Sequence, residues 1–246
     1  MIFRRATAQL LATTALALAL GAATFSPARA EDKTVAIGAD LSLTGADALA
    51  AIRVKNAIQL AIEGANQGNA VPGYHIDLMV LDDGTATAGQ YDPAQAATNA
   101  RKMVSDKTVV GALGPEMSGA GKAMTPILSQ GNLAIITMSA TNPDITNPKF
   151  AAQYRPAGKA IFFRTVTTDA FQGPNMANFF AEKLNVKTVY VLDDSGAFGV
   201  GVADSFQAQA EKKGLKILGR DRLDPKAADY SAILTKISGF CRNSCA

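Results

Sequence analysis

VVGALGPEMSGAGKAMTPILSQGNLAIIT, residues 109–137, carries one full beat of the rhythm that decides the fold. Val109 to Leu113 is a short apolar run closed by Gly114-Pro115, the pattern of a buried strand. Gly119 to Gln130 reads as a helix, and Leu133 to Thr137 returns to strand. Upstream the beat repeats. Val35 to Leu41 reads as a buried strand, and Ala48 to Ala65 places Ile52, Ala57, Leu60, Ala61 and Ala65 at helical spacing. Ile76 to Leu81 is a strand ending in Asp82-Asp83-Gly84, and Pro93 to Ser105 is a helix with proline in its first turn. Successive strand–helix units predict an α/β chain: parallel sheets flanked by helices.

Downstream, Thr141 to Gly158 interrupts the rhythm with Asn142-Pro143, Asn147-Pro148 and Arg155-Pro156-Ala157-Gly158, and reads as a surface excursion. Ile161 to Val166 resumes as strand, Gln172 to Leu184 as helix, and Thr188 to Leu192 as a strand ending in Asp193-Asp194. Phe198 to Lys213 is a helix capped by Gly214, followed by the strand Leu215 to Leu218 and a helical stretch from Tyr230 to Ile237. The change of lobe falls near Val166 to Gln172. After Ser238 the chain reads Gly-Phe-Cys-Arg-Asn-Ser-Cys-Ala with no strand to follow, so an incomplete second lobe is expected. The expected division is a leader over 1–30, a first α/β lobe over 31–166 and a partial second lobe over 167–246.

The leader is a secretory signal peptide by its parts. Arg4 and Arg5 open it, Leu10 to Ala23 is apolar but too short to span a bilayer, and Ala28-Arg29-Ala30 is a small-x-small cleavage site. Cleavage after Ala30 removes Arg4, Arg5 and Arg29 and no acids, so 24 Lys+Arg against 21 Asp+Glu become 21 against 21. A neutral chain with no basic cluster excludes a nucleic-acid partner. No later segment has 18 uninterrupted apolar residues. Cys241 and Cys245 either pair or stay free. The single histidine, His75, reads as a half-exposed strand residue, and no metal site is expected.

Nucleotide motifs fail where they would have to appear. Gly121-Lys122 is preceded by Glu116, not glycine, at the required spacing and is followed by Ala123, and the first strand turn reads Leu41-Ser-Leu-Thr-Gly45. The Gly-x-Ser-x-Gly elbow is absent and His75 is no base for a nucleophile, so no catalytic residue and no cofactor are expected. The Asp82-Asp83 and Asp193-Asp194 pairs read as solvated or helix-capping. Ser118 stands at a helix start, where it is either an N-cap or a hydroxyl beside free N–H groups that favour carboxylate or phosphate. Ser139-Ala140-Thr141 follows the next strand in the same way. Loops at the carboxyl ends of neighbouring parallel strands converge on one crevice, so the two together predict a site for a small anionic molecule.

The residues from Thr34 to about Ser238 resemble the leucine/isoleucine/valine-binding family of extracytoplasmic solute receptors. The likeness is carried by Val35-Ala-Ile-Gly-Ala-Asp-Leu-Ser42 with Thr44-Gly45, Leu81-Asp82-Asp83, Gly114-Pro115 with Ser118, and Ile136-Thr-Met-Ser-Ala-Thr-Asn-Pro143. Phe163-Arg164-Thr165 with Asp169, Gln172-Gly173-Pro174 and Phe198-Gly199-Val200-Gly201 complete it. The resemblance implies a two-lobed type I periplasmic binding protein fold. It also implies a periplasmic location, an ABC-transporter permease in the inner membrane as partner, and a small amino acid, branched-chain or otherwise aliphatic, as ligand. In the family the ligand lies between the lobes. Its carboxylate position falls here on Ser118, Ser139, Ala140 and Thr141, and the aromatic residue that closes over it falls on Phe198. The carboxylate that commonly meets the ammonium group lies on strands beyond residue 246, so another small carboxylate or amide stays open as ligand, as does a fragment that binds nothing. Thr146 to Gly158 is longer than the family pattern, and Thr85 and Met117 stand near the places of a cysteine pair that some members carry.

Overall fold

Strands that are apolar on both faces need helices on both sides, and this requirement organises the chain. The structure, a computed structural model, describes residues 32–244. The leader, its cleavage point after Ala30 and Cys245 lie outside the described residues.

Five strands form the larger sheet: β1 (Lys33–Leu41), β2 (Tyr74–Asp82), β5 (Val109–Leu113), β6 (Ile135–Thr137) and β7 (Phe162–Arg164), in the order β2-β1-β5-β6-β7. The β1–β5, β5–β6 and β6–β7 pairings are parallel. Helices α2 (Pro93–Ser105) and α3 (Ser118–Gln130) bury Ala96, Ala100, Met103, Met124 and Leu128 against Ala112, Ile135 and Phe162. On the other side α1 (Ala48–Gln67) sets Ala51 and Ile58 against Ala39 and Leu41. Asp92 begins α2 as the sequence implies: its Oδ1 accepts the Ala94 N–H at 2.8 Å and Pro93 follows at the first helical position.

A second parallel sheet joins β8 (Thr188–Asp193) to β9 (Lys216–Arg222). Helices α5 (Asp169–Glu182) and α6 (Ala197–Lys212) cover it with Ala177, Ala203, Phe206 and Ala210, and the Phe180 and Phe206 rings meet edge to face at 5.6 Å. Helix α7 (Ser231–Ser244) places Phe240 against Tyr190, with ring centroids 5.5 Å apart. No helix among the described residues is long and apolar enough to cross a membrane.

Three local features differ from the sequence reading. A short antiparallel hairpin, β3 (Gly84–Thr85) with β4 (Gln90–Tyr91), stands between β2 and α2. Two-residue strands are too short to show a period. Its turn is closed by Gly89 N–H on the Thr85 carbonyl at 2.8 Å and by Thr85 Oγ1, which accepts the Ala88 N–H at 3.0 Å. The excursion after Thr141 is two Asn-Pro 3₁₀ turns, Pro143–Ile145 and Pro148–Phe150, and the short helix α4 (Ala151–Tyr154). It is no loose surface loop, because Ile145 and Tyr154 are only 1% and 4% exposed. Helix α5 starts three residues earlier than Gln172, at Asp169, which the fold buries.

Candidate functional site

The carboxyl ends of β5 and β6 are zipped together by one hydroxyl. Thr137 Oγ1 donates to the Pro115 carbonyl at 2.6 Å and accepts the N–H groups of Ala140 at 2.9 Å and Ser139 at 3.2 Å. Ser139 Oγ donates to the Glu116 carbonyl at 2.8 Å, and Ser118 Oγ accepts the Asn142 N–H at 3.2 Å, so each loop holds the other. Gly114 is required at this junction: it has φ +98°, and a Cβ there would lie 2.2 Å from the Asp40 carbonyl oxygen. Thr137→Val keeps the shape and leaves these buried groups unpaired. We expect it to destabilise the chain by about 2 kcal/mol, read from urea unfolding.

Arg164, at the end of β7, fixes the rest of the second loop. Its Nε donates to the Ala140 carbonyl at 2.8 Å, Nη2 to the Asn142 carbonyl at 2.6 Å and Nη1 to Thr146 Oγ1 at 2.8 Å, with the guanidinium 5.0 Å above the Phe162 ring. The planar fork suits three acceptors spread along one turn of chain.

The loops that follow β1 and β2 are held by acids. Asp82 Oδ1 accepts the N–H groups of Leu43 and Gly84, both at 2.8 Å, and Oδ2 accepts the Thr44 hydroxyl at 2.6 Å. Asp83 Oδ1 accepts the Ser42 hydroxyl at 2.7 Å, and Asp40 Oδ1 accepts Asn99 Nδ2 at 2.7 Å. Asp40 and Asp83 are fully buried, and the Oδ2 of each lacks a hydrogen-bond partner, so burial and the neighbouring like charge favour a proton on Asp40. Burial, and then the charge of Asp83, push Asp40 up to about 8. Glu116, mostly buried beside Ser42, is also raised by burial. The pair Asp82-Asp83 is thus neither solvated nor a helix cap: it ties the β1–α1 turn down.

In front of this frame lies a cavity of ≈ 250 Å³ lined by Asp47, Gln90, Tyr91, Met117, Ser118, Asp194, Gly196 and Phe198. Three helices begin on it. Asp47, Met117 and Gly196 stand at the cap positions of α1, α3 and α6, and none of them makes a side-chain capping bond. Ser118 is therefore the first helical residue and not the N-cap. Uncapped first turns present N–H groups and partial positive charge, which suit a carboxylate. Asp47 and Asp194 add negative charge at the same cavity, which suits an ammonium group. The lining matches a small zwitterion.

A family profile described as "Periplasmic binding protein" matches residues 34–239. The chain belongs to the periplasmic binding protein family. Family relatives include a Leu/Ile/Val-binding protein homolog of Brucella melitensis, 32% identical over 218 residues that are 88% of this chain and 54% of the relative. Among solved structures, the leucine-binding protein LivK of Thermotoga maritima superposes with a TM-score of 0.71 at 26% identity, covering 84% of this chain and 53% of that one. The branched-chain amino-acid substrate-binding protein LivJ of Streptococcus pneumoniae, solved in complex with isoleucine, gives 0.68 at 25% identity, covering 84% and 54%. The chain spans about half the length of the relatives it matches. The two parallel sheets are those of the type I periplasmic binding fold, with the second lobe represented here by β8, β9 and their helices.

Within this family member the residues singled out in the sequence divide into two groups. Ser118 and Phe198 line the cavity from the first turns of α3, which follows β5, and α6, which follows β8. Ser139, Ala140 and Thr141 form the loop behind Ser118. The Ser139 hydroxyl is spent on Glu116, the Ala140 N–H on Thr137, and Thr141 Oγ1 is buried beside the Asp169 carboxylate, while the Asp169 backbone N–H donates to the Thr141 carbonyl at 3.1 Å. Gln90, Tyr91 and Asp47 were not singled out, and Asp194 was read only as solvated or helix-capping. The two aspartates stand at starts of helices that the sequence makes legible, whereas Gln90 and Tyr91 arrive on the hairpin that it does not. Asp193 is buried and accepts Arg220 Nη2 at 2.8 Å, while Asp194 Oδ1 accepts the Gly196 N–H at 2.9 Å. His75 is an exposed strand residue beside Asp77, as expected.

Proposed function

We propose that the chain acts as an extracytoplasmic solute-binding protein of an ABC transporter. It captures a small amino acid, branched-chain or otherwise aliphatic, or a related small carboxylate, and presents it to a permease in the inner membrane. It catalyses no reaction. The observation that carries this reading is the cavity shared by the two sheets, where three uncapped helix starts stand with Asp47 and Asp194 around a space of ≈ 250 Å³. The names of the relatives, Leu/Ile/Val-binding proteins, support the ligand class. We read 31–166 and 167–246 as the two lobes, and export through the leader with cleavage after Ala30 as the route to the periplasm.

Ser118 meets the ligand carboxylate, Phe198 packs on its aliphatic part, and Ser139, Ala140 and Thr141 hold the loop that positions Ser118. Contacts made to both lobes at once are available only in the closed form, so ligand shifts the chain toward closure. Titration calorimetry of residues 31–246 with leucine, isoleucine and valine tests the reading. Binding of at least one, weakened by about 1.5 to 3 kcal/mol in Ser118→Ala through a lost charge-assisted hydrogen bond, is the expected result. Absence of heat with all three, together with no ligand-induced rise in melting temperature, sinks it.

A further inference from the structure

We infer that Tyr91, carried to the cavity by the β3–β4 hairpin, sets the size of the ligand side chain, leaving room for a short aliphatic group and holding out aromatic carboxylates. This inference rests on the ligand-capture reading above and adds a residue and an element to it. Tyr91 lines the cavity, and its ring is seated on the first turn of α3 so closely that a Cβ on Gly119 would lie 2.5 Å from the Tyr91 hydroxyl and 2.7 Å from Cε2. The Ala197 backbone N–H, at the start of α6, lies beside the same hydroxyl. The ring therefore spans from one helix start to the other.

The hairpin has nowhere to retreat. Its Gly89 carbonyl accepts the Ala46 N–H at 2.9 Å, a Cβ on Gly45 would lie 2.5 Å from that carbonyl oxygen, and the Asp92 N–H donates to the Asp83 carbonyl at 2.7 Å. On the other side Lys226 Nζ donates to the Thr87 carbonyl at 3.1 Å, joining the hairpin turn to the segment after β9. A wall held from both sides discriminates by shape, because overfilling a packed space forces strain that a deformable wall would relieve. The cavity, at ≈ 250 Å³, lies below the roughly 300–1,000 Å³ of pockets for drug-sized ligands. Met117 and Phe198 give it an apolar side for an aliphatic group.

The experiment is calorimetry on residues 31–246 with valine, phenylalanine and 4-hydroxybenzoate as probes. The wild-type chain is expected to bind valine at least about tenfold more tightly than either aromatic ligand. Tyr91→Ala should shift that ratio toward the aromatic ligands by about tenfold or more, whereas Tyr91→Phe, which keeps the ring, should leave it within about twofold. Gly119→Ala, which drives the ring into the cavity, should weaken valine binding. Should Tyr91→Ala fail to fold, Tyr91→Leu reads the same ratio. A Tyr91→Ala or Tyr91→Leu chain that binds valine with the wild-type ratio overturns the inference, and so does a Tyr91→Phe chain whose ratio moves as far as that of Tyr91→Ala. Either result leaves the ligand-capture reading standing. A wild-type chain that binds none of the probes, nor leucine or isoleucine, overturns both.

Discussion

Asp40→Asn stabilises the chain by about 5 kcal/mol at pH 8 and leaves it almost unchanged at pH 4. The folded chain keeps a proton on the Asp40–Asp83 pair, with Asp40 pushed up to about 8, whereas the unfolded chain releases it near the ordinary value of 3.8. Between those two values the folded state binds more protons than the unfolded state. Stability therefore falls as pH rises across this window, by about 1.4 kcal/mol per unit for one proton, and levels off above it. This is the reverse of a salt-bridged aspartate, because what shifts Asp40 is burial and a like charge. Asparagine is the neutral copy of the protonated form. Its carbonyl still accepts Asn99 Nδ2, and the buried site no longer has to hold a second negative charge beside Asp83. Glu116 and Asp169, also raised by burial, pull in the same direction, and the hydrogen-bonded carboxylates Asp106, Glu182, Asp221 and Asp229, all lowered, pull the other way. The difference between wild type and Asp40→Asn isolates the pair. Urea unfolding at intervals from pH 4 to 9 measures it, and two parallel curves would show that the pair holds no proton.

Arg164→Ala destabilises the chain by about 3 to 5 kcal/mol at pH 7. The substitution strands two loop carbonyls and the Thr146 hydroxyl, and it removes the positive charge beside Asp169, whose carboxylate oxygens are buried without a geometric hydrogen-bond partner. Arg164→Lys should recover less than half of the loss, since an ammonium group cannot address three acceptors from one plane. The deficit should shrink at low pH, where Asp169 takes a proton and no longer needs the neighbour. A pH-independent deficit, with lysine as good as arginine, would show that the side chain acts by bulk alone. Since the same guanidinium shapes the 140–146 loop behind Ser118, ligand affinity in Arg164→Lys should fall along with stability.

The alternation from Val35 to Leu218 was legible because the helices and most strands are long enough to display their own period, and the short strands β6 and β7 lie within longer apolar runs. Pro93 behind Asp92 and the boundaries of α2, α3 and α6 followed from the same local rules. Ser118 and Phe198 were legible as residues at helix starts, and the rule that loops at strand carboxyl ends converge put Ser118 beside the second loop. The hairpin was not, since Gly84–Thr85 and Gln90–Tyr91 are too short for any pattern. Nor was the seating of the Asn-Pro turns, because local turn chemistry is the same whether Ile145 faces water or core.

Composition and periodicity were enough to determine an α/β chain of parallel sheets with a crevice at the strand ends, because backbone preference and apolar spacing act within a dozen residues. Which hydroxyl lines the cavity and which is spent on the frame was decided only by tertiary structure. Ser118, Ser139 and Thr141 all carry a hydroxyl, and they differ because Ser139 donates to Glu116 and Thr141 is buried beside Asp169, whereas Ser118 accepts the Asn142 N–H and still lines the cavity. The same holds for the carboxylates. Asp40 and Asp83 differ from Asp47 and Asp194 by burial and by the like charge each has beside it, and both are properties of the whole packed molecule.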